Sequence, residues 1–306
     1  MQRKLVLQVI MKKVNCAIIG SGNIGMNLLY KIRKSKTLNC NLLIGRNPDS
    51  KNLIEAKEKG YFVSAESISA LTKYEGMYEI IFDATTAENH RIIAPILDKM
   101  QKIVIDLTPS KIGKLCIPSL NAEECLSVND VNMVTCGGQS TVPIAAAMKN
   151  VCLDIRYFEV VATIASASAG AGTRENIDEY IYTTSQALSE FTGVNHTKAM
   201  IVLNPADPPI VMRNTLYAIA KEYDIDLLKE SVSKMEKIIR GYVPGFSVIV
   251  PPTAIKRDII TVTVQVEGSG DFLPRYAGNL DIITCAGIEM AELYAYNINE
   301  KGGTPF

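Results

Sequence analysis

One cysteine of this chain lies where a side chain could act as a nucleophile. Cys136 is the third residue of the segment VTCGGQSTVP, which spans positions 134–143. The residues before it, Val131 to Thr135, predict a buried strand, and the two glycines after it permit a sharp turn. A thiol at such a turn can form a thioester with a substrate, whereas the alternative is a small buried cysteine that only packs.

The residues after the two glycines predict a helix. Ser140 or Thr141 is expected to cap the helix Val142 to Val151, and Pro143 suits its first turn. Cys136 would then lie near the positive end of a helix dipole, which stabilises the thiolate, the reactive form of cysteine. The pattern therefore predicts Cys136 as the catalytic residue.

A glycine motif near the amino terminus predicts a dinucleotide site. The run Val14 to Ile19 predicts a strand, Ile24 to Lys34 predicts a helix, and GSGNIG at 20–25 connects them. In this motif the first glycine makes the tight turn, the second admits a pyrophosphate to the backbone, and the third lets helix and strand pack closely. The amides at the helix start then face the phosphates.

The end of the second predicted strand carries a cation. Arg46 follows the apolar run Asn41 to Ile44, where an NAD enzyme usually has an acid that binds the ribose hydroxyls. A guanidinium there can bind the 2′-phosphate of NADP, so NADP is a candidate beside NAD. The alternatives are that Arg46 stacks on the adenine or lies in solvent, and Asp49 could still reach the ribose.

The composition is that of an ordinary globular protein. The chain has 306 residues, 47% hydrophobic and 21% charged, which suggests two domains with a core. Lys plus Arg and Asp plus Glu both number 32, so no positive excess points to nucleic acid or a membrane surface. Seven scattered cysteines without a CxxC pair argue against a metal site and for the cytoplasm. No apolar run could cross a membrane, and Met1 to Ile10 are expected to be a frayed extension rather than a signal peptide.

Strands and helices alternate through the first 135 residues, which predicts a parallel sheet with crossover helices in an α/β, Rossmann-type domain. Further predicted elements there are helices Ser50 to Lys59 and Glu88 to Met100 and strands Glu79 to Ala84 and Lys102 to Leu107. Longer strands and grouped helices then predict an α+β domain. Its elements are strands Phe158 to Ala165, Ala199 to Leu203, Ser247 to Val250 and Ile259 to Val266, and helices Ile177 to Phe191 and Ile225 to Arg240.

The last predicted helix, Leu280 to Tyr296, is expected to return to the first domain. Residues 1–135 with 276–306 would then form the dinucleotide-binding domain, and residues 136–275 the catalytic and dimerisation domain. Between strand and helix, the small residues Ser166 to Arg174 can let a ligand lie against the backbone, with Asn176 as a helix cap. The alternative for this segment is a flexible surface loop.

Taken together, these segments resemble the acylating acetaldehyde dehydrogenases, the partners of 4-hydroxy-2-oxovalerate aldolase in meta-cleavage catabolism. The resemblance extends over residues 14–295. It rests on IIGSGNIG at 18–25, FDAT at 82–85, IDLTP at 105–109, VNMVTCGGQ at 131–139, SAGAGTRENIDE at 168–179, LNPADPP at 203–209 and YAGNLD at 276–281.

The resemblance implies the fold of glyceraldehyde-3-phosphate and aspartate-semialdehyde dehydrogenases. It implies NAD-linked oxidation of acetaldehyde, or a similar aldehyde such as propanal, to its acyl-CoA, with the thioester on Cys136. It also implies a homodimer and a complex with the aldolase in aromatic hydrocarbon catabolism. With Arg46 added, the residues expected to contact the nucleotide are Ser21, Gly22, Asn23, Ile24, Arg46, Ser168, Ala169, Gly170, Ala171, Gly172, Thr173, Arg174, Glu175, Asn176 and Asn279.

The chain departs from the family's pattern at two positions. Arg46 lies in the region where the family usually has aspartate. Asn214 follows Met-Arg where the family commonly has an aspartate that is proposed to help activate the cysteine. Since asparagine is not a base, that role is minor, or water or a neighbouring acid such as Asp207 takes it.

Neither histidine of the chain is a convincing partner for Cys136. His90 could line the nucleotide cleft but is expected at the surface or at a helix start, and His196 is expected in solvent. Activation of Cys136 is therefore expected to depend on the helix start and on desolvation. The competing functions are a phosphorylating or non-acylating semialdehyde dehydrogenase of the same fold, and a non-catalytic nucleotide sensor or scaffold.

Overall fold

A parallel sheet forms the first part of the molecule. The computed structural model describes residues 12–300, apart from the side chains of residues 171 and 172, so the predicted extension at residues 1–10 lies outside the described residues. The strands of this sheet are β1 (Val14–Ile19), β2 (Leu38–Ile44), β3 (Val63–Ser64), β4 (Ile80–Asp83), β5 (Ile103–Asp106), β6 (Lys114–Leu115) and β7 (Asp130–Asn132). They run in the spatial order β3-β2-β1-β4-β5-β7-β6, and the pairings are parallel.

Helices connect these strands. They are α1 (Asn23–Lys34), α2 (Lys51–Glu58), α3 (Ser69–Lys73), α4 (Ala87–Lys99) and α5 (Pro118–Cys125), with a 3-10 turn at Glu75–Met77. The chain runs outward from β1 to β3 on one side and from β4 on the other. The strand order therefore reverses between β1 and β4, and ligands of such sheets bind outside the carboxyl ends of the strands at this point.

A second, mixed sheet follows. Its strands are β8 (Tyr157–Ala165), β9 (His196–Asn204), β10 (Met212–Ile219), β11 (Phe246–Lys256) and β12 (Ile259–Val266), in the order β11-β12-β10-β8-β9. Only β8 and β9 pair in parallel among the described strands of this sheet. The accompanying helices are α6 (Cys136–Val151), α7 (Ala171–Glu175), α8 (Ile177–Thr192), α9 (Ile225–Arg240) and α10 (Gly278–Glu300), with a 3-10 turn at Ser166–Ser168.

One face of the mixed sheet carries helices. Leu228, Val232, Met235 and Ile239 form the predicted apolar stripe of α9, and all four are buried in the core that α6, α8 and the sheet share. Helix α10 joins the two halves, because Ile282 belongs to this core while Ile283 belongs to the core of the parallel sheet.

The predicted fold class, a Rossmann-type sheet followed by an α+β unit, is confirmed. Strands at 14–19 and 259–266 and the helix at 225–240 have the predicted bounds. Strand β10 was missed, although its residues alternate between buried and more exposed positions. The domain boundaries at 135/136 and 275/276 remain a prediction.

The helix after Cys136 was predicted six residues too short. Glycine and Pro143 disfavour a helix interior, which is why the predicted start lay at Val142. In the structure the helix begins at Cys136 with Pro143 inside it. Every residue from Gly137 to Met148 is buried, so tertiary packing outweighs the local propensities.

Within residues 12–300, no helix combines the length and apolar character that crossing a bilayer requires.

Candidate active site

A cleft lies at the carboxyl ends of β1, β4 and β5. Its volume is about 660 Å3, and both the glycine motif and Cys136 line it. The predicted site residues that line this cleft are Ser21, Gly22, Asn23, Ile24, Arg46, Cys136, Gly170, Thr173, Glu175, Asn176 and Asn279. The structure therefore places the predicted nucleophile and most predicted nucleotide contacts around one cavity.

The glycine motif has the backbone that a dinucleotide site requires. Gly20 has a φ of +107°, and a Cβ there would lie 2.4 Å from the Ala84 carbonyl oxygen. A Cβ on Gly25 would lie 1.8 Å from the Gly20 carbonyl oxygen, so this glycine permits the close packing of α1 on the loop. Gly22 faces open space and precedes α1 without a side-chain cap. The motif thus leaves room for phosphate beside the amides of a helix start.

Arg46 lies at the end of the cleft after β2. Its side chain is exposed, and Ser67 and Ile68 line the same region. Ser67 has a φ of +54°, and its amide donates to the Gly45 carbonyl at 3.0 Å. The guanidinium therefore borders the cleft next to a fixed turn, where a 2′-phosphate could be bound.

Asn279 brings a polar group to the cleft from the start of α10. The residue is 2% exposed, and its side-chain oxygen has no hydrogen-bond partner within the described part of the chain. A buried amide oxygen without a partner carries a desolvation cost that a ligand donor would remove. Together with the glycine motif, Asn279 fits a nucleotide cofactor.

The segment of small residues after β8 only partly reaches the cleft. Ser168 and Ala169 are buried and do not line it, and Arg174 is exposed and donates to the backbone carbonyls of Ser166 and Ala169, both at 3.2 Å. Asn176 occupies the N-cap position of α8 as predicted, but its side chain makes no capping hydrogen bond and lines the cleft. Part of the predicted loop is helical, since α7 spans residues 171–175.

Cys136 is the first residue of α6. The N-cap is Thr135, whose hydroxyl accepts from the Gly138 amide at 2.9 Å, so the predicted cap at Ser140 or Thr141 was wrong. Those two hydroxyls instead donate to the Gly137 carbonyl at 2.8 and 2.7 Å. The thiol consequently lies closer to the helix terminus than the sequence predicted.

The backbone just before Cys136 is strained. Val134 has a φ of +60°, which a β-branched residue rarely adopts. The Asn132 side-chain oxygen holds this turn by accepting from the Val134 amide at 2.9 Å. Because of this turn, the predicted strand Val131 to Thr135 ends early, at Asn132, and the chain bends towards the cleft.

Two opposing influences act on the Cys136 thiol. Burial raises the pKa of Cys136 to about 11, although the amides of Gly137 and Cys136 and the Tyr180 hydroxyl each lower it. The predicted effect of the helix start is present, but burial outweighs it. Cys136 is therefore a thiol at neutral pH, and only the small thiolate fraction is nucleophilic.

His90 is wholly buried, so its predicted place at the surface was wrong, while its place at a helix start was right. It lies in the first turns of α4, and its Nδ1 is 2.8 Å from Asp83 Oδ2. Burial opposes a charge on this imidazole, but Asp130, Asp83 and Asp106 outweigh burial and raise the pKa of His90 to about 10. His90 does not line the cleft and is not a partner of Cys136.

The side chains of Asp83, His90 and Asp106 approach one another closely enough to be considered as metal ligands. Each already has partners within the protein. Asp83 accepts from the Thr85 amide at 2.9 Å, and Asp106 accepts from Ser110 at 2.5 Å. Burial raises the pKa of Asp106 to about 7. We interpret the cluster as a polar network that joins the ends of β4 and β5 below the cleft.

Tyr180 and several strand-end residues were not predicted for the site. Thr85 and Thr108 lie two residues after the ends of β4 and β5 and line the cleft, so the rule that ligands bind at carboxyl strand ends could have found them. Tyr180 lies one turn into α8, and no sequence pattern distinguishes it from a core aromatic residue. Its hydroxyl is buried close to Gly137, where an added Cβ would lie 2.0 Å from the tyrosine oxygen.

Comparison with known proteins identifies the family. A family model described as prokaryotic acetaldehyde dehydrogenase, dimerisation, matches residues 136–274. The acetaldehyde dehydrogenase of Pectobacterium atrosepticum is 46% identical over 284 residues, which are 92% of this chain and 96% of that protein. That of Geobacillus stearothermophilus is 45% identical over 284 residues, again 92% of this chain and 96% of that protein. The chain belongs to the prokaryotic acetaldehyde dehydrogenase family.

Membership of the acetaldehyde dehydrogenase family confirms the predicted enzyme, an oxidoreductase. Aspartate semialdehyde dehydrogenase II of Vibrio cholerae has the same fold, with a TM-score of 0.66 at 14% identity over 94% of this chain and 99% of that chain. The family and its parallel sheet indicate a nicotinamide cofactor. The match to a dimerisation domain supports a homodimer.

Asn214, the departure from the family pattern, lies beside the cysteine helix. It is wholly buried on β10, and its side-chain nitrogen donates to the Ser140 hydroxyl at 2.5 Å. Neither Asn214 nor the exposed Asp207 lines the cleft. Asp207, which precedes a cis proline, is thus not placed as a substitute base in the cleft.

Proposed function

We propose that this protein oxidises acetaldehyde, or a similar short aldehyde such as propanal, to the acyl-CoA with NAD or NADP. The observation that supports this most is that Cys136, at the start of α6, lines the same cleft as the glycine motif. A nucleophile and a dinucleotide loop around one cavity suit oxidation through a covalent thioester.

Cys136 forms the covalent bond to the substrate. Its thiolate attacks the aldehyde carbon and gives a thiohemiacetal, whose oxygen carries the negative charge. The amides of Cys136 and Gly137 interact with the thiol, so they lie at the reacting centre and can donate to this charge. The product of oxidation is an acyl thioester on Cys136.

A nucleotide cofactor would be held by residues that line the cleft at the end of the parallel sheet. A nicotinamide bound there would supply the hydride acceptor for oxidation of the thiohemiacetal. Ser21, Gly22, Asn23 and Ile24 would bind the phosphates, and Asn279 would donate to or accept from the nucleotide with its buried amide. Arg46 borders the same cleft and would bind the additional phosphate of NADP.

Coenzyme A completes the reaction as second substrate. Its thiol attacks the thioester carbon, the acyl-CoA leaves, and the Cys136 thiolate is restored. Phosphate is the alternative acceptor, because the fold is shared with semialdehyde dehydrogenases. Against phosphate, no histidine is among the described residues that line the cleft.

An acceptor assay tests this function. We expect reduction of NAD or NADP by acetaldehyde to require CoA and to be lost in Cys136→Ala, while nucleotide binding is retained. Turnover with phosphate alone would support the phosphorylating alternative. Unchanged turnover of Cys136→Ala would contradict a catalytic cysteine. Nucleotide binding without any aldehyde oxidation by the parent protein would favour the nucleotide sensor or scaffold.

A complex with 4-hydroxy-2-oxovalerate aldolase in the cytoplasm, within aromatic hydrocarbon catabolism, is the setting that we propose for this reaction. Direct transfer would keep the volatile aldehyde from escaping. Size-exclusion chromatography of the protein with and without the aldolase tests it, and two unshifted peaks would contradict the complex.

A further inference from the structure

The Tyr180 side chain lies against the start of α6. Its hydroxyl lies so close to Gly137 that a Cβ there would be 2.0 Å from the tyrosine oxygen, and it lowers the pKa of the neighbouring Cys136 thiol. Tyr180 is only 7% exposed and lines the cleft with Cys136. The absence of a side chain at residue 137 therefore allows a phenol to approach the nucleophile.

The Tyr180 hydroxyl is available to a ligand. It is buried and has no partner of hydrogen-bond geometry within residues 12–300. Leaving a buried hydroxyl without a partner costs on the order of 1–3 kcal/mol. Such a group at a reacting centre is explained if its partner is a charge that forms there during the reaction.

Two threonine hydroxyls join the backbone at Tyr180 to the residue before Cys136. Thr184 donates to the Tyr180 carbonyl at 2.7 Å, and the Thr135 and Thr184 hydroxyls are 2.7 Å apart. The one proton of the Thr184 hydroxyl is donated to the Tyr180 carbonyl, so Thr135 must be the donor in its bond to Thr184. The Thr135 oxygen also accepts from the Gly138 amide. The first turn of α8 is thereby joined to the residue that precedes Cys136.

The other candidates for assisting Cys136 are poorly placed. Asn214 cannot act as a base and bonds to Ser140, and His90 is held by carboxylates away from the cleft. Glu88 and Glu175 line the cleft but are exposed. Tyr180 combines burial, a hydroxyl without a hydrogen-bond partner among the described residues, and a position against Gly137, the residue next to Cys136.

We propose that Tyr180 is a second catalytic residue, whose hydroxyl donates a hydrogen bond to the Cys136 sulfur and stabilises the thiolate. This inference depends on the proposed role of Cys136 as nucleophile. The proton of the thiol leaves to solvent through the open cleft, and no proton is taken up by the tyrosine.

Tyr180 acts as a donor and not as a base. Burial, together with the nearby Cys136, holds the pKa of the tyrosine hydroxyl well above its ordinary value. The hydroxyl consequently keeps its proton throughout the neutral range, as a donor must. A hydrogen bond to a charged sulfur is stronger than one to a neutral sulfur, so it favours the thiolate over the thiol.

Alkylation by iodoacetamide tests the contact without any turnover. Only the thiolate reacts with this reagent. Cys136 is the one partly exposed cysteine among the seven, so it should be alkylated first. Mass spectrometry of the peptide that contains Cys136 measures the rate. At pH values below the pKa of the Cys136 thiol, we expect Tyr180→Phe to slow alkylation of Cys136 about tenfold. The profile of alkylation rate against pH should shift upward by about one pH unit. The first turnover should slow in the same proportion, with cofactor affinity unchanged.

Tyr182→Phe is the matched control, because Tyr182 lies on the same helix with its side chain 56% exposed. We expect this variant to alkylate as the parent protein does, and both variants to unfold at the parent temperature. An unshifted pH profile in Tyr180→Phe would overturn the role of Tyr180 while leaving Cys136 as the nucleophile. Acyl-CoA formation by Cys136→Ala would overturn the role of Cys136 as nucleophile, and with it the catalytic role of Tyr180, even if the alkylation result were as expected.

Discussion

At the scale of single residues, the position of Cys136 produces two effects of opposite sign. The helix start and the neighbouring amides favour the thiolate, while burial raises the pKa of the thiol to about 11 and outweighs them. The resting protein thus keeps the proposed nucleophile protonated. A protonated cysteine is protected from oxidation and becomes reactive only as the thiolate is stabilised.

Arg46 is the residue that we expect to decide between the two nicotinamide cofactors. Replacing it with alanine removes the cation that would bind the 2′-phosphate, so affinity for NADP should fall about tenfold, as for a charged hydrogen bond. Affinity for NAD should change much less. Calorimetric titration of both nucleotides measures this difference.

Lys51→Ala is the control for Arg46→Ala, since Lys51 is an exposed cation that does not line the cleft. It should bind both nucleotides as the parent protein does. Equal losses for NAD and NADP in Arg46→Ala would reject a role in binding the 2′-phosphate and would favour stacking on the adenine.

At the scale of elements, the buried network of His90 joins α4 to the ends of β4 and β5. The folded protein binds the His90 proton more tightly than the unfolded chain does, because histidine in an unfolded chain has a pKa of about 6.5. The pKa of His90 in the folded protein is about 10, so this stabilisation is complete below about pH 6.5 and is lost as the pH rises to about 10. The pKa of Asp106 is also raised, to about 7, so its contribution to stability is likewise lost as the pH rises from about 4 to about 7.

His90→Asn should therefore be less stable by about 3 kcal/mol, because it leaves buried carboxylates without their cation. Its unfolding free energy should also fall less steeply between pH 7 and 10 than that of the parent protein. Urea titrations across this range measure both effects. His196→Asn is the control, because it replaces the exposed histidine of β9. Its unfolding free energy should depend on pH as that of the parent protein does. The same dependence in His90→Asn would contradict the account.

Elements with strong patterns could be predicted from the sequence. Helix α9 and strands β1 and β12 have the expected bounds, because a single apolar face or a β-branched run determines each of them. The start of α6 could not be predicted, since glycines and a proline argue against a helix that burial alone stabilises. The network around His90 also had no local signal, because its carboxylates come from separate strands.

The site could also be predicted only where local sequence patterns determine it. A glycine motif and a cysteine are recognisable by local spacing, and the structure brings both to one cleft. Tyr180 depends on a contact between α8 and α6 that arises only in the folded molecule. Long-range contacts of this kind supply the groups that adjust the chemistry of a locally recognisable nucleophile.

At the scale of the whole molecule, the mixed sheet exposes apolar side chains on its two edge strands, β9 and β11. Met200 and Val202 on β9 are 39% and 41% exposed, and Ile249, Val250 and Ile255 on β11 are similarly accessible. Exposed apolar patches on a sheet mark interaction surfaces. The match to a dimerisation domain supports a homodimer. We predict that the second copy covers part of this apolar surface.

Val202→Asp should consequently weaken the homodimer, because a carboxylate would be buried against an apolar partner surface. Sedimentation velocity should show a larger monomer fraction at equal concentration. Leu153→Asp is the control, since Leu153 is 83% exposed and lies outside both sheets. Dimers of equal stability in both variants would place the interface elsewhere.

The central claim is that the acyl group is carried by Cys136 between oxidation and transfer. Mass spectrometry of the protein after incubation with acetaldehyde and NAD, without CoA, tests it most directly. We predict one acetyl group on the peptide that contains Cys136, its removal when CoA is added, and its absence from Cys136→Ala. An unmodified protein that has reduced its cofactor, or an acetyl group on another cysteine, would contradict the account.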